Sequence, residues 1–380
     1  MHVHLLFNRF IKGGGFLKSK RISAICAIII IILTSLYTFY NAAKNDLKIS
    51  LNKNSPSVFV QTENLIKSSI PFSDKLKELA INLKFYSGEK EQNGIYISDD
   101  SLLKIVKNPD YSITDDNVQT IINFAETYHV PTYALIIPAA CSIKQQEIDS
   151  FKREQLFNEK SFLESIYSDF NSKVSSINVY PTLFANNDKY IYYRTDTNLT
   201  SLGGYYVYEQ IAKRFRITAQ SPVKFDIKHY NYDFYGDIYN ESSYKSITPD
   251  RISSYKFIKF PREYRVERTK NGEINTYYEL YPEEAVKSDN PFDIFLGGLA
   301  DKIDITISAP NNSRLLIYGD KSVMSYLPFL AINFHNITFV NTDTAPLEIY
   351  KELDVQAYDK ILFSFSSDNF MHNNCTKYLR

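Results

Sequence analysis

The first apolar feature of the chain is an uncharged stretch from Ile22 to Tyr40. A helix rises about 1.5 Å per residue, so about 20 apolar residues cross the roughly 30 Å core of a bilayer. No acidic residue precedes the stretch, and five basic residues do: Arg9, Lys12, Lys18, Lys20 and Arg21. The positive-inside rule keeps such an N-terminus in the cytoplasm. The pattern predicts a single-pass protein with a cytoplasmic tail (1–21), a transmembrane anchor (22–43) and a polar stalk (44–57).

A cleaved signal peptide is the alternative interpretation of this stretch. The apolar region of a signal peptide is normally about 7–15 residues long, which is shorter than the run from Ile22 to Tyr40. The sequence Asn41-Ala42-Ala43 also lacks the small residue that a cleavage site has three places back. We therefore expect the anchor to be retained and the bulk of the chain to lie outside the cytoplasm at the cell membrane.

Helical and strand patterns alternate through the remaining domain, residues 58–380. For example, Val118, Ile121, Ile122 and Ala125 have the spacing of a helix with one apolar face, and Pro131 ends that pattern. Short apolar runs predict buried strands. In chain order we predict a helix at Asp74–Phe85, a helix from Thr114, a strand at Tyr133–Ile137, a helix at Gln145–Lys173, strands at Ile177–Tyr180 and Tyr190–Tyr193, a helix at Ser201–Phe215, a strand at Arg314–Tyr318, a helix at Lys321–Phe334, a strand at Ile337–Val340, a helix at Ile349–Leu353 and a strand at Asp359–Phe365. This order predicts an α/β domain.

The region from about residue 226 to 290 has a different pattern. It is rich in tyrosine and polar residues, with turn signals at Gly236 and Pro249. Asn271-Gly272 lies between two alternating segments, which is the strongest short-range signal for a β-hairpin. We predict a β-rich insertion on the α/β domain.

Composition excludes some classes of function. The chain has 43 basic and 43 acidic residues, so no global positive field is available to hold nucleic acid. Its three cysteines and six histidines form no motif with the spacing of metal ligands, and we predict no metal and no cofactor. Cys26 lies in the predicted span. Whether Cys141 and Cys375 pair stays open, because two cysteines so far apart do not define a disulfide framework.

Two segments have the character of a functional site. Tyr193–Thr200 is a polar loop that follows a predicted strand and opens a predicted helix, which is where α/β proteins carry function. Gly319–Ser322 is a tight turn from a strand into a helix. Such a turn exposes a side chain at the carboxyl edge of the sheet and presents helix N–H groups to an anion.

In this order the two segments resemble the DHHW family of Gram-positive bacteria, which are relatives of the alginate O-acetyltransferases. Tyr192–Tyr208 resembles the family pattern Y-x-x-T-D-x-H-W-T-x-x-G-A-Y-x-A-Y, and Gly319–Leu330 resembles K-D-S-Y-A-x-x-F-x-P-F-L. Further agreement lies at Tyr133–Pro138, Asp233–Tyr239 and Phe295–Gly298, so that the resemblance runs from about residue 94 to 365. It implies an SGNH-hydrolase-like fold, a three-layer α/β/α domain. The β-rich insertion and the one N-terminal transmembrane helix that the patterns predict are added to this domain.

The resemblance also implies a catalytic triad and shows where this chain departs from it. In active relatives the Ser of the D-S-Y turn is the acyl-accepting nucleophile, the His of D-x-H is its base, and the Asp two residues earlier orients that His. By position these are Lys321, Asn198 and Asp196. An Asn side chain has no titratable nitrogen, and a protonated amine is a poor nucleophile. Leu199 replaces the family's Trp, and Leu299 stands where an Asn that can serve as an oxyanion donor is expected.

Several roles for individual residues stay open at this stage. Ser322, one residue past the nucleophile position, could restore activity with His129, His229 or His372 as its base. His335 is excluded because it lies about 20 Å by helical rise from the start of its predicted helix. Asp196 either caps the helix or keeps a functional role, and Lys321 either stays free or pairs with Asp196 or Asp320. Tyr193, Arg194 and Asp320 are predicted to bind ligand, and Arg194 has a carboxylate partner as its alternative.

These inferences lead to a functional hypothesis and two alternatives. The chain is predicted to be a catalytically inactive, membrane-anchored DHHW-like protein of a Gram-positive cell envelope. Its expected role is accessory or binding, in polysaccharide acetylation beside a membrane O-acyltransferase. The first alternative is an active carbohydrate esterase or O-acetyltransferase with a relocated site at Ser322. The second is a structural stalk protein without a ligand.

Overall fold

The structure, a computed structural model, describes residues 73–379 apart from 171, 243, 259–262, 288–289 and 309–311, together with Ile29, residues 32–37 and Tyr40. The chain divides into two compact units, Met1–Ser87 and Gly88–Arg380. The predicted tail (1–21), the stalk (44–57) and most of the anchor (22–43) lie outside the described residues. The described positions between 29 and 40 are helical. Within the part of the chain that is described, no helix combines the length and the apolar character needed to cross a bilayer.

The secondary structure elements are numbered in chain order. Helix α1 (Ser73–Tyr86), close to the predicted Asp74–Phe85, belongs to the first unit. The strands of the second unit are β1 (Glu91–Gln92), β2 (Ile95–Ile97), β3 (Leu102–Lys104), β4 (Thr132–Ile137), β5 (Val174–Ile177), β6 (Phe225–Phe234), β7 (Asp250–Phe257), β8 (Tyr264–Lys270), β9 (Glu273–Tyr277), β10 (Lys302–Ile307), β11 (Arg314–Gly319), β12 (Asn336–Asn341) and β13 (Lys360–Ser366). Its helices are α2 (Tyr111–Tyr128), α3 (Ala140–Ile143), α4 (Ser150–Arg153), α5 (Glu159–Asp169), α6 (Tyr180–Phe184), α7 (Ser201–Phe215), α8 (Asp237–Ser242), α9 (Leu327–Ala331), α10 (Leu347–Glu352) and α11 (Ser367–His372).

The core of the second unit is a mixed eight-stranded sheet in the order β5-β4-β13-β11-β12-β10-β8-β9. The first five strands of this order are parallel, and the last three are added antiparallel. Parallel strands covered on both faces are continuous apolar runs, and in β13 the run Ile361–Phe363 is at most 1% exposed. This arrangement confirms the predicted α/β class. The parallel strands also bring the carboxyl ends of β4, β13, β11 and β12 to one edge of the sheet.

The region 226–290 is only partly an insertion. Strands β6 and β7 pair with each other in a separate two-stranded sheet. The predicted hairpin is confirmed, because β8 and β9 are joined by Asn271 and Gly272, both with positive φ (52° and 81°). This hairpin pairs through β10 with β12 and so extends the main sheet. Strand β10 was not predicted.

Two predicted helices are shorter than expected because proline or turn geometry interrupts them. The predicted helix Lys321–Phe334 is a 3₁₀ turn at Lys321–Ser325 followed by the short α9, where Pro328 lies in the first turn. Proline has no N–H to continue the preceding helical ladder, and it is favoured in the first turn of a new helix. The predicted helix Gln145–Lys173 contains no proline and is instead divided by turns into a 3₁₀ turn (Gln145–Glu147), α4 and α5, the last of which Asn158 caps.

Two of the predicted strands also differ from the structure. The strand expected at Ile177–Tyr180 ends at Ile177, and Tyr180 opens α6 with Pro181 in its first turn. The strand expected at Tyr190–Tyr193 is a loop with a single bridge between Tyr192 and Leu199. By contrast, α7 has the predicted bounds, and α2 begins at Tyr111, three residues before the predicted start.

Candidate functional site

A cleft of about 620 Å³ opens at the carboxyl edge of the parallel strands. Most of its wall comes from the segments that follow these strands and from the loop before α7: Ile137–Ala140, Thr197–Leu199, Asp320–Ser322, Thr342–Asp343, Ser366–Asn369 and Asn373–Cys375. Lys104–Val106, Ile238 and Lys377 complete it. The size falls within the roughly 300–1,000 Å³ of small-molecule sites. Ligands of open α/β sheets bind at this edge. The cleft is therefore the candidate site.

Close packing of α7 brings the two predicted site segments together. Thr200 caps α7 by accepting a bond from the N–H of Gly203 at 3.3 Å. A Cβ atom on Gly204 would lie 2.1 Å from the carbonyl oxygen of Ser325. Only glycine therefore lets α7 approach the turn after β11 this closely. The loop that contains Asp196 is held beside Lys321 as a result.

Asp196 is 1% exposed and makes contacts on both carboxylate oxygens. Its Oδ1 accepts bonds from the backbone N–H of Asn198 at 2.9 Å and from the side-chain Nδ2 of Asn198 at 2.5 Å. Its Oδ2 accepts a bond from the N–H of Asp237 at 3.2 Å and lies 3.7 Å from Nζ of Lys321. Asp196, Asn198 and Lys321 therefore converge, as the aligned positions require. Gly236 is part of this packing, because a Cβ there would lie 2.3 Å from Cβ of Asp196.

Lys321 lies between two carboxylates. Its Nζ is 3.0 Å from Oδ2 of Asp237, 3.7 Å from Oδ2 of Asp196, and 5.0 Å from the centre of the Phe292 ring. Burial acts to lower the pKa of Lys321, but the attraction of Asp196 and Asp237 outweighs it and raises the pKa above its ordinary value. The side chain is therefore an ammonium ion, which has no lone pair for attack on an acyl carbon.

Asp320 lines the cleft and organises the turn after β11. Its Oδ1 accepts bonds from the N–H of Ser322 at 3.0 Å and from the Ser322 hydroxyl at 2.5 Å. Its Oδ2 accepts bonds from the N–H and the hydroxyl of Ser366, both at 2.8 Å, and from Nδ2 of Asn369 at 3.1 Å. These bonds hold the turn after β11 against the end of β13. The predicted ligand-binding residue Asp320 thus has a structural role at the cleft wall.

Ser322 lines the cleft without a histidine partner among the described residues. His129 ends α2 in the left-handed conformation with a φ of 56°. His229 bonds through Nδ1 to the hydroxyl of Ser253 at 2.8 Å. His372 bonds to the backbone oxygens of Asp368 at 2.9 Å and Asn108 at 3.1 Å. The hydroxyl of Ser322 donates to a carboxylate instead.

Tyr193 and Arg194 are placed away from the cleft wall. Tyr193 is 1% exposed, and its ring packs against the rings of Tyr190, Phe234 and Phe292. Nε of Arg194 lies 2.9 Å from Asp100, and its guanidinium stacks 4.7 Å from the centre of the Tyr190 ring. Of the two interpretations of Arg194, the structure shows the carboxylate pair. Tyr193 is a residue of the aromatic core.

A carboxylate that the sequence did not single out holds the loop before Asp196. Asp250, at the start of β7, is completely buried. It accepts bonds from the N–H groups of Arg194 at 2.7 Å and Thr195 at 2.8 Å, from the Thr195 hydroxyl, and from the Tyr190 hydroxyl at 2.5 Å. Burial raises the pKa of Asp250, and these donors oppose that effect. The only signal in the sequence was an acidic residue after Pro249.

Leu299, the residue at the expected oxyanion position, follows a tight turn. The preceding residues Leu296, Gly297 and Gly298 all have positive φ (59°, 79° and 99°). The carbonyl oxygens of Gly298 and Leu299 accept bonds from the Arg268 guanidinium at 2.8 and 3.1 Å. The described lining of the cleft does not include Leu299.

Cys141 and Cys375 are both buried and free, so the structure contains no bridge between them. Burial raises the pKa of the Cys141 thiol to about 12 and also raises that of Cys375, which lines the cleft. Both thiols are therefore protonated and unreactive near neutral pH. No three His, Cys, Asp or Glu side chains of the described residues lie together as a metal site.

Comparisons with known proteins agree with the fold. The crystal structure of a DHHW family protein from Eubacterium siraeum is similar, with a TM-score of 0.64 and 17% identity over 76% of this chain and 95% of that chain. Bacillus cereus PatB1 gives a TM-score of 0.62 and 16% identity over 74% of this chain, both in a structure with a sulfonyl adduct, of which 97% is covered, and in a second structure, of which 98% is covered. At this identity the likeness establishes the fold alone.

No curated protein matches the chain. The sequence model described as DHHW protein matches residues 47–340. This match includes the Asp196 loop, the turn at Lys321 and most of the large sheet, and it extends over most of the chain. The chain belongs to the DHHW family.

Proposed function

We propose that this chain is a catalytically inactive DHHW protein whose cleft binds a cell-envelope polysaccharide, as an accessory of polysaccharide acetylation. The observation that carries the proposal is the position of Lys321. Its ammonium group lies 3.7 Å from Asp196 and 3.0 Å from Asp237, at the place where active relatives of the family are expected to carry a nucleophilic serine. An ion pair between Lys321 and Asp196 therefore stands at positions that align with the family's catalytic triad.

Acyl transfer through a serine needs a hydroxyl and a base within hydrogen-bond reach of it. The group that faces Asp196 is the amide of Asn198, which can donate a hydrogen bond and cannot take up a proton near neutral pH. The raised pKa of Lys321 keeps its amine protonated, so that the amine does not substitute for either group. These two side chains support the absence of catalysis.

The retained cleft supports the binding role. Its wall keeps polar side chains at the carboxyl edge of the sheet, among them Thr342, Asn369, Asn373 and Asn374, and such groups bond to sugar hydroxyls. The link to acetylation comes from the family's relation to the alginate O-acetyltransferases. With the predicted anchor at 22–43, the domain would lie at the outer face of the cell membrane beside a membrane O-acyltransferase.

A hydrolysis assay tests the absence of catalysis. Purified full-length chain is incubated with p-nitrophenyl acetate beside a heat-denatured sample of the same preparation. The expected rate equals that of the denatured control. Turnover well above it, abolished by combining Asn198→Ala with Ser322→Ala, contradicts the proposal. Binding is measured separately by calorimetry with envelope polysaccharide of the host, and the proposed role predicts saturable binding.

Ser322 is the basis of a second candidate function, an esterase or O-acetyltransferase. The observation that favours it is that the Ser322 hydroxyl lines the cleft and lies 2.5 Å from the carboxylate of Asp320. A fluorophosphonate probe distinguishes the two functions. Covalent labelling of Ser322 supports the enzyme, and an unlabelled chain supports the binding protein.

A further inference from the structure

Part of the cleft wall is apolar. The side chains of this apolar wall carry no hydrogen-bonding group and belong to Ile105, Val106, Ile137–Ala140 and Ile238. Helices α3 and α8 both pack against strand β3, so the segment after β3 and the starts of these two helices share one side of the cleft. The amides of Asn369, Asn373 and Asn374 come from the segment after β13 instead. An apolar wall stabilises a methyl group that is removed from water, and it offers nothing to a sugar hydroxyl.

Lys321 presents a hydrogen-bond donor beside the apolar wall. An ammonium group has three N–H donors. Among the described residues, Nζ of Lys321 donates to Oδ2 of Asp237 at 3.0 Å and lies 3.7 Å from Oδ2 of Asp196, which leaves a third N–H for a ligand. The lysine side chain is 29% exposed, and it lines the cleft. Ile238 directly follows Asp237 in α8, so the donor and the apolar wall adjoin.

The charge of Lys321 is already compensated, and this limits the kind of acceptor that can bond to it. The carboxylates of Asp196 and Asp237 both contact its ammonium group. An anionic ligand at the same nitrogen would be attracted by one cation and repelled by two anions. A neutral carbonyl oxygen accepts the hydrogen bond without this repulsion. The place therefore favours a neutral acceptor that carries an apolar substituent.

We propose that the cleft recognises acetyl groups of the polysaccharide, so that the chain binds the acetylated form of its ligand in preference to the deacetylated form. This proposal rests on the proposed function and names the class of its ligand. The acetyl carbonyl oxygen accepts the third N–H of Lys321, and the acetyl methyl group lies against the apolar wall beside Ile238. Hydroxyls of the sugar ring bond to the amides of Asn369 and Asn373. An O-acetyl ester and an N-acetyl amide share this chemistry, and the experiment below distinguishes them.

Three forms of one ligand test the proposal by calorimetry on the full-length chain purified in detergent. Envelope polysaccharide of the host is used as isolated, after mild alkali that removes O-acetyl esters, and after further chemical removal of N-acetyl groups. A pH above the pKa of the sugar amine keeps the last form free of new positive charge. Affinity is expected to fall about tenfold at the step that removes the recognised acetyl group, through the loss of one hydrogen bond and one buried methyl group. That step identifies the ester or the amide.

A matched pair of variants at Lys321 separates the donor from the charge. Lys321→Met and Lys321→Gln both remove the positive charge, but only glutamine keeps N–H donors. The preference for the acetylated form should fall to about threefold in Lys321→Met and stay close to its wild-type value in Lys321→Gln. Ile238→Thr places a hydroxyl in the apolar wall and should also reduce the preference to about threefold. Lys160→Met, at an exposed lysine of α5 outside the lining, is the control and should change nothing.

The possible results separate this inference from the proposed function. Equal affinity for all three forms, or tighter binding of a deacetylated form, overturns the recognition of acetyl groups and leaves the binding role intact. If none of the forms binds, the binding role itself fails. An equal loss of preference in Lys321→Met and Lys321→Gln assigns the effect to charge and overturns the hydrogen bond to the acetyl carbonyl. Because the three forms are compared on the wild-type chain, the proposal is tested even if a variant does not fold.

Discussion

At the scale of single residues, two substitutions should build a catalytic triad at this site. The Oδ1 atom of Asp196 already accepts a bond from the side chain of Asn198 at 2.5 Å. In Asn198→His, an imidazole N–H would take this bond and leave the other ring nitrogen as a base. Lys321→Ser supplies the hydroxyl. We expect the double variant to hydrolyse p-nitrophenyl acetate about 10²-fold faster than the wild type, at the lower end of general-base catalysis.

The single variants are the controls for this gain of activity. Asn198→His alone has a base without a nucleophile, and Lys321→Ser alone has a nucleophile without a base, so neither should exceed the wild-type rate. A full gain in Lys321→Ser alone would show that Asn198 does not occupy the base position. The pH dependence of the double variant shows whether the imidazole or the hydroxyl limits the rate.

The charge of Lys321 also contributes to stability. Lys321→Met leaves the 1% exposed carboxylate of Asp196 without its cation. We expect a loss of about 1–3 kcal/mol in the free energy of unfolding, less than for a fully buried pair because the lysine side chain is 29% exposed. Urea unfolding measures this loss. The exposed pair of Lys160 and Glu164, 4.0 Å apart, provides the control, and Lys160→Met should change stability by less than about 0.5 kcal/mol.

The pH dependence of that loss follows from the raised pKa of Lys321. A lysine with a folded-state pKa above its ordinary 10.5 contributes stability that is fully present below that value. The contribution disappears as the pH rises through the folded-state pKa. The difference between wild type and Lys321→Met should therefore be constant near neutral pH and shrink only above about pH 10.5. A difference that shrinks near neutral pH would mean that Lys321 is not held as a cation.

At the scale of elements, the approach of α7 to the turn after β11 holds the loop that contains Asp196 beside Lys321. A methyl group in Gly204→Ala would lie 2.1 Å from the backbone oxygen of Ser325, and backbone cannot move aside as a flexible side chain can. We expect a loss of about 2–3 kcal/mol in the free energy of unfolding, measured by thermal or urea unfolding. Lys213→Ala, exposed on the same helix, should have little effect. Equal stability of the two variants would refute the close contact.

The same elements show what could be predicted from the sequence. The start of α7 could be predicted because it is marked locally, by Thr200 as a cap. The loop Tyr190–Tyr193 has the residues of a strand. Its neighbours Arg194 and Thr195 instead give their N–H groups to Asp250, a side chain more than 50 positions away. A partner so remote leaves no local pattern, and neither does the pairing of Lys321 with Asp237.

At the scale of the whole molecule, the parallel order β4-β13-β11-β12 explains why residues from distant parts of the chain meet at one cleft. The alternation of helix and strand patterns was enough to predict this class of fold. It was not enough to predict that β8 and β9 extend the sheet, because that depends on β10, whose half-buried alternation resembles an ordinary surface strand. The family resemblance, which was confirmed, supplied the alignment that periodicity could not.

The proposed accessory role makes a prediction about the cell that an enzyme would not share. If Ser322 is not a nucleophile, cells that carry Ser322→Ala in place of the wild-type chain should have the same acetyl content in their envelope polysaccharide as wild-type cells. The backbone N–H of Ser322 still bonds to Asp320 at 3.0 Å in that variant, so the turn is kept. Ser325→Ala, which also removes a buried serine hydroxyl, is the matched control. Acetyl content that falls in Ser322→Ala and not in Ser325→Ala would assign catalysis to Ser322. If both variants keep the wild-type acetyl content and cells that lack the chain lose it, the chain acts in acetylation without Ser322 as a catalytic serine.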